Sequence, residues 1–181
     1  MGVVGSMFEN PVVARLVVRR ILDEVVVNFE HYLEELKRCD GPRCIDIIKD
    51  ATNHIASDIE LARLIAEAAG DTKCAAVVYE IARCIRAKAY EVEDIDMAWG
   101  LHSLYKAIYA SLRGNVKLAV LLIFASYAFL YERRELAWAI LREALGEERV
   151  KQDELLLELG RLLHSLKKAG VTITSEDVER D

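Results

Sequence analysis

The stretch Val116–Tyr131, VKLAVLLIFASYAFLY, decides how the rest of the chain is read. After Lys117 it runs fourteen residues with one polar side chain, Ser126, among aliphatics and aromatics. A helix that is apolar all round has no solvent face and belongs in the middle of a fold. At ~1.5 Å per residue, fourteen residues reach ~21 Å, short of the ~30 Å of a bilayer core. Lys117 closes one end, and Glu132, Arg133 and Arg134 close the other. The stretch therefore reads as the buried central helix of an all-α protein. Leu121, Leu122, Phe124, Ala125 and Ala128 are expected to be almost fully buried within it.

The chain on either side divides into helices. Asn10-Pro11 is a helix start, with Asn as cap and Pro where no N–H is needed. A first helix runs from there to about Arg38. Its Leu22, Val25, Phe29, Tyr32 and Leu36 recur at steps of three and four. Asp40-Gly41-Pro42 is a turn. A second helix spans about Arg43–Ala56. A third opens on the capping box Ser57-Asp58-Ile59-Glu60 and ends at Gly70. Asp71 caps a fourth helix reaching about Tyr90, and Glu91–Asp94 forms an acidic bend. A fifth runs from about Ile95 to Arg113. Asn115 caps the central sixth, a seventh covers about Arg134–Leu145, and an eighth about Val150–Ala169. About eight helices in successive antiparallel hairpins follow, closing as a multi-helix bundle or stacking as a short helical-repeat array. Residues 10–170 read as a single domain. Residues 1–9 read as a flexible leader and 171–181 as a frayed tail. The opening MGVVGS matches an acylation pattern too short to outweigh that reading.

Composition narrows the function classes. With 24 basic and 30 acidic residues in 181, the net charge is −6, which counts against nucleic acid as the main partner. One glutamine and four asparagines amid abundant charge resemble a thermophile's composition. No secretory segment precedes the cysteines, so a cytoplasmic location is expected. Cys39, Cys44, Cys74 and Cys84 then read either as buried thiols or as disulfides of the kind hyperthermophiles keep inside the cell. The Asp-Gly-Pro turn can bring Cys39 and Cys44 into bridging range, closing a short loop worth about 1–2 kcal/mol. A bridge from either to Cys74 or Cys84 would close ~30–45 residues, worth about 3–4 kcal/mol.

Three segments echo one another. Asp58-Ile-Glu-Leu-Ala62, Asp94-Ile-Asp-Met-Ala98 and Arg134-Glu-Leu-Ala137 each open the second helix of a hairpin, spaced as helical repeats are. Over about 43–146 this pattern resembles tetratricopeptide-like hairpins. Ala137 and Ala144 stand seven apart as in that family's second helix, and Ala62 and Ala69 repeat the step. Ala125 and Ala128 fall where its first helix takes small residues. The middle copy departs, with Tyr105 in place of the second alanine. The resemblance implies a non-catalytic array that binds peptides or partner proteins.

No catalytic, cofactor-binding or metal-ligating set accompanies these patterns. None of His31, His54, His102 and His164 has an acidic residue three positions before it, and no phosphate loop or nucleophile elbow occurs. His31 with Glu35, and Glu30 with Glu34, read as a solvated face. The leading expectation is a protein–protein interaction or scaffold module. The alternatives are an enzyme or ligand- or metal-binding bundle with a site near Glu93, Asp94, His102 and Trp99, and a nucleic-acid-associated regulator using scattered arginines. The first helix is ~28 residues long and apolar over more than a coiled-coil seam, and a compact domain cannot easily cover all ~42 Å of it. A homodimer through it or through the eighth helix is expected.

Overall fold

The computed structural model describes residues 10–70 and 74–171. Among them are seven helices, α1 (Pro11–Arg38), α2 (Pro42–Ala68), α3 (Cys74–Glu91), α4 (Ile95–Leu112), α5 (Val116–Leu130), α6 (Arg134–Leu145) and α7 (Glu147–Lys168). The all-α expectation holds, and no strand occurs among the described residues. The leader, the Asp71 cap and residues 172–181 of the tail lie outside that range.

Local caps place most of the boundaries. The Asn10 side chain accepts from the Val12 N–H at 3.0 Å, Asp94 from Met97 at 2.8 Å and Asn115 from Leu118 at 3.2 Å. Each satisfies an N–H that the first helical turn leaves open. The last helix begins at Glu147, three residues ahead of the expected Val150, because Gly146 at φ 82° reverses the chain directly after α6.

The second and third expected helices are one continuous helix, α2. The Ser57 hydroxyl donates to the Asn53 carbonyl at 2.7 Å, one turn back, and so does not cap. Glu60 pairs with Arg63 at 2.6 Å and does not reach back to Ser57. The buried seam Cys44, Ile48, Ala51, Ile55, Ala62 and Ile65 keeps its three-and-four step through the supposed junction. Packing of that face outvotes a cap signal worth only about 1 kcal/mol.

Helices α1 and α2 form one long hairpin, joined by Tyr32 and His54 at 3.4 Å and laid against α5 through α2. From α3 onward each helix packs on its successor, and α7 then returns onto α3. That return closes the hairpins into a bundle, whereas an open repeat array leaves its end helices apart. Lys49 on α2 pairs with Glu143 on α6 at 2.9 Å, and Arg134 on α6 with Asp96 on α4 at 3.4 Å.

Helix α5 holds the centre, touching α2, α4 and α6. Leu122, Phe124, Ala125 and Ala128 are buried as expected. Leu121 is only half-buried, packed at the edge of the core. Ser126, the one polar side chain of the stretch, donates its hydroxyl to the Gly100 carbonyl of α4 at 2.6 Å. Phe129 and Trp138 meet Trp99 at 6.1 and 4.9 Å, and Phe29 of α1 stacks on Phe124 at 4.9 Å.

Candidate functional site

The acidic bend and the histidine singled out in the sequence do not converge. Asp94 is an exposed helix cap. Glu93 is exposed, and its main-chain carbonyl accepts from Arg161 at 2.8 Å. His102 lies eight residues along α4 from Asp94, about 12 Å up the axis at 1.5 Å per residue. It is buried against the edge of Trp99, 5.7 Å between ring centres.

His102 instead belongs to a buried polar cluster between α4 and α7. Lys106, one turn further on, places its ammonium 2.6 Å from Asp153 Oδ1 and 2.5 Å from Oδ2. Asp153 is 1% exposed, and Arg149 approaches its Oδ1 at 3.5 Å from the solvent side. A carboxylate so buried persists only because cations face it. Burial lowers the Lys106 pKa, opposed by its hydrogen bond to Asp153.

Among the described residues neither His102 ring nitrogen has a hydrogen-bond partner. Burial pushes its pKa down to about 4; the Asp153 charge pulls upward, while Lys106 and Arg86 push further down. The unfolded chain, with a pKa near 6.5, therefore binds this proton first as pH falls. The contribution of His102 is intact above about pH 6.5 and is lost between there and pH 4, on the order of 3 kcal/mol in all. Urea unfolding at stepped pH values is expected to show this decline, and His102→Leu should flatten it over that window.

The surface grooves open elsewhere. One of about 670 Å³ lies where the α1–α2 turn meets the α5–α6 turn, lined by Asp40, Cys44, Arg133 and Glu135 among others. Cys39 and Cys44 are bridged there, with α-carbons 5.5 Å apart, and Cys84 is an exposed free thiol. The side chain of Cys74 lies outside the described residues. Glu132 sits at φ 59°, in the left-handed position that ends a helix. The Glu132 and Arg133 N–H groups return to the carbonyls of Phe129 and Ala128 at 3.2 and 2.8 Å. This turn aims Arg133 back at the end of α1, where it donates to the Leu36 and Cys39 carbonyls. Its guanidinium thus caps a helix C-terminus, which favours positive charge.

Several other basic residues are similarly engaged. Arg86 donates to the Tyr90 hydroxyl at 2.8 Å and lies over the Tyr105 ring at 5.3 Å. Arg20 pairs with Glu24, and Arg83 with Glu80 at 3.3 Å. His31 and Glu35 pair at 3.3 Å on an exposed face. Among the described residues no three His, Cys, Asp or Glu side chains cluster as metal ligands. No described helix is long and apolar enough to cross a membrane.

What remains is α7 itself, which has two apolar faces. Val150, Asp153, Leu157 and Gly160 form the inner one. Gly160 lets the α3 ring of Tyr90 come so close that a Cβ there would stand 2.5 Å from Tyr90 Cε1. Leu155, Leu156, Leu159, Leu162 and Leu163 lie on the opposite side, 45% to 66% exposed, and Leu166 extends the row half-buried. Five side chains so exposed give that side of the helix apolar area on the order of 400 Å², the size of a monomer's largest patch, which is often functional. The sequence carries the signal, since one face of a helix cannot hold Leu155–Leu157, Leu159, Leu162, Leu163 and Leu166 together.

The first helix exposes Val12, Leu16, Leu22, Val26 and Val27, but Arg19 and Asp23 interrupt them. An apolar groove of about 430 Å³ between α1 and the end of α2 borders residues outside the described set. No known family, no curated protein and no solved structure matches this chain.

Proposed function

We propose that the protein is a non-catalytic interaction module that docks through the outer leucine face of α7. One observation carries this reading: a helix fully packed on one side presents five exposed leucines, in register, on the other. Each of these leucines is about half exposed and forgoes roughly 1 kcal/mol of further burial, so covering the row would release several kcal/mol. The inner polar cluster holds that face outward. Lys106 and Asp153 pin the start of α7, and Arg161 ties its middle to the α3–α4 bend. The cluster thus acts as a positioning device rather than a reaction centre, and the grooves at the disulfide, at the end of α2 and beside Asn115 are lined by other residues.

The test is amine-directed cross-linking in the source cells. Lys151 and Lys167 flank the leucines and are exposed. They are expected to cross-link to another polypeptide chain, whether a second copy or a different protein. Leu159→Glu with Leu162→Glu should abolish those cross-links while leaving the melting temperature within a few degrees. Cross-links from these lysines confined to their own chain would refute the reading.

A further inference from the structure

We propose that the outer face of α7 binds a second copy of itself, antiparallel, about a two-fold axis passing between Leu159 and Leu162. This rests on the docking role of that face and adds the identity and direction of the partner.

The spacing comes first. Leu155, Leu159, Leu162 and Leu166 step by four, three and four, the a/d pattern of a helix that packs against another helix. Leu156 and Leu163 widen the row on one flank. An antiparallel copy centred between Leu159 and Leu162 sets Leu155 opposite the partner's Leu166 and Leu159 opposite the partner's Leu162. All four layers are then filled by leucine, with Leu156 beside the partner's Leu163. A two-fold pairing needs only one surface, complementary to itself.

Charge decides the direction. The half of α7 before the axis carries Glu147, Glu148, Glu154 and Glu158 against Arg149 and Lys151, and the half after it carries Arg161, Lys167 and Lys168 with no acidic residue. Glu154, Glu158, Lys167 and Lys168 are exposed. Antiparallel pairing brings the acidic half of each copy alongside the basic half of the other and opposes the two helix dipoles. Parallel pairing aligns like with like on both counts. Lys106 and Arg149 already hold Asp153 inside the fold, so that carboxylate does not disturb the pattern.

Area bounds the strength without fixing it. A leucine patch on the order of 400 Å² is about half of one partner's share in a standard interface, the size of weak, transient contacts. A dissociation constant on the order of ten micromolar is expected.

Sedimentation of the purified full chain between about 1 and 100 µM tests this, with the micromolar range taken from the expected affinity. A monomer–dimer equilibrium is expected. Leu159→Glu with Leu162→Glu should weaken it by about a thousandfold, because both central leucine layers then hold a charge in place of an apolar side chain. Glu154→Lys with Glu158→Lys, and separately Lys167→Glu with Lys168→Glu, should each weaken it about tenfold; all four together should restore it. Circular dichroism of every variant confirms that the helices persist. A wild-type chain monomeric at about 100 µM would overturn the proposal, as would a dimer indifferent to the leucine substitutions. Failure of the fourfold charge swap to restore association would overturn the antiparallel direction. A monomeric purified chain whose Lys151 and Lys167 still cross-link to a different protein in cells would end the self-pairing and leave the docking role standing.

Discussion

Asp153→Ala is expected to destabilise the protein by about 3–5 kcal/mol, because it strands a buried cation. The carboxylate is 1% exposed, and the Lys106 ammonium sits within 2.6 Å of both its oxygens. Arg149 loses its partner too, but its guanidinium reaches solvent and loses little. Lys106, its side chain 17% exposed, then has little solvent to replace that partner and must lose its proton or draw in water. Relative to a total stability of ~5–15 kcal/mol, the loss threatens folding at elevated temperature. Urea unfolding at pH 7 measures it. The double substitution Lys106→Met with Asp153→Leu removes both charges and is expected to recover most of the loss. If Asp153→Ala costs less than about 1 kcal/mol, the pair is not the desolvated one its burial describes.

Phe124→Ala is expected to cost about 3–5 kcal/mol for a different reason, an unfilled cavity. Phe124 has no exposed surface and lies at the middle of α5, where three other helices converge. Its ring stacks on Phe29 at 4.9 Å, which is how α1 is tied to the centre of the fold. Phe29→Ala alone should cost less, since that side chain is only partly buried. The double-mutant cycle should show a coupling of about 0.5–1.5 kcal/mol. A cost below about 1 kcal/mol for Phe124→Ala would contradict the central position of α5.

The two substitutions also divide what was legible in the chain from what was not. The importance of Phe124 can be read from the stretch around it, because fourteen residues with one hydroxyl leave a helix no solvent side. The importance of Asp153 cannot. Its partner Lys106 is 47 residues away, and nothing in the local pattern of either helix distinguishes them from surface charges. Likewise Arg133 closes the end of a helix 94 residues upstream, where its sequence neighbours suggest only a polar boundary.

Local chemistry alone determined the helix content and most helix ends. Asn10, Asp94 and Asn115 satisfy N–H groups within three residues of themselves, and glycines at positive φ end or separate helices at Gly70, Gly114, Gly146 and Gly170. Such interactions are complete before any distant contact forms. The leucines over 155–166 exceed what one face of a helix can hold, which the sequence also carries, though not which of them lie uncovered. Tertiary packing decided the rest. It carried α2 through Ser57, since a continuous buried seam outweighs one cap. It closed the hairpins by bringing α7 back to α3, where Gly160 admits Tyr90. It chose which side of α7 turns inward, because the buried Asp153 has its cation on α4. A helix with two apolar faces can be buried by either; only the arrival of its neighbours selects one and leaves the other exposed.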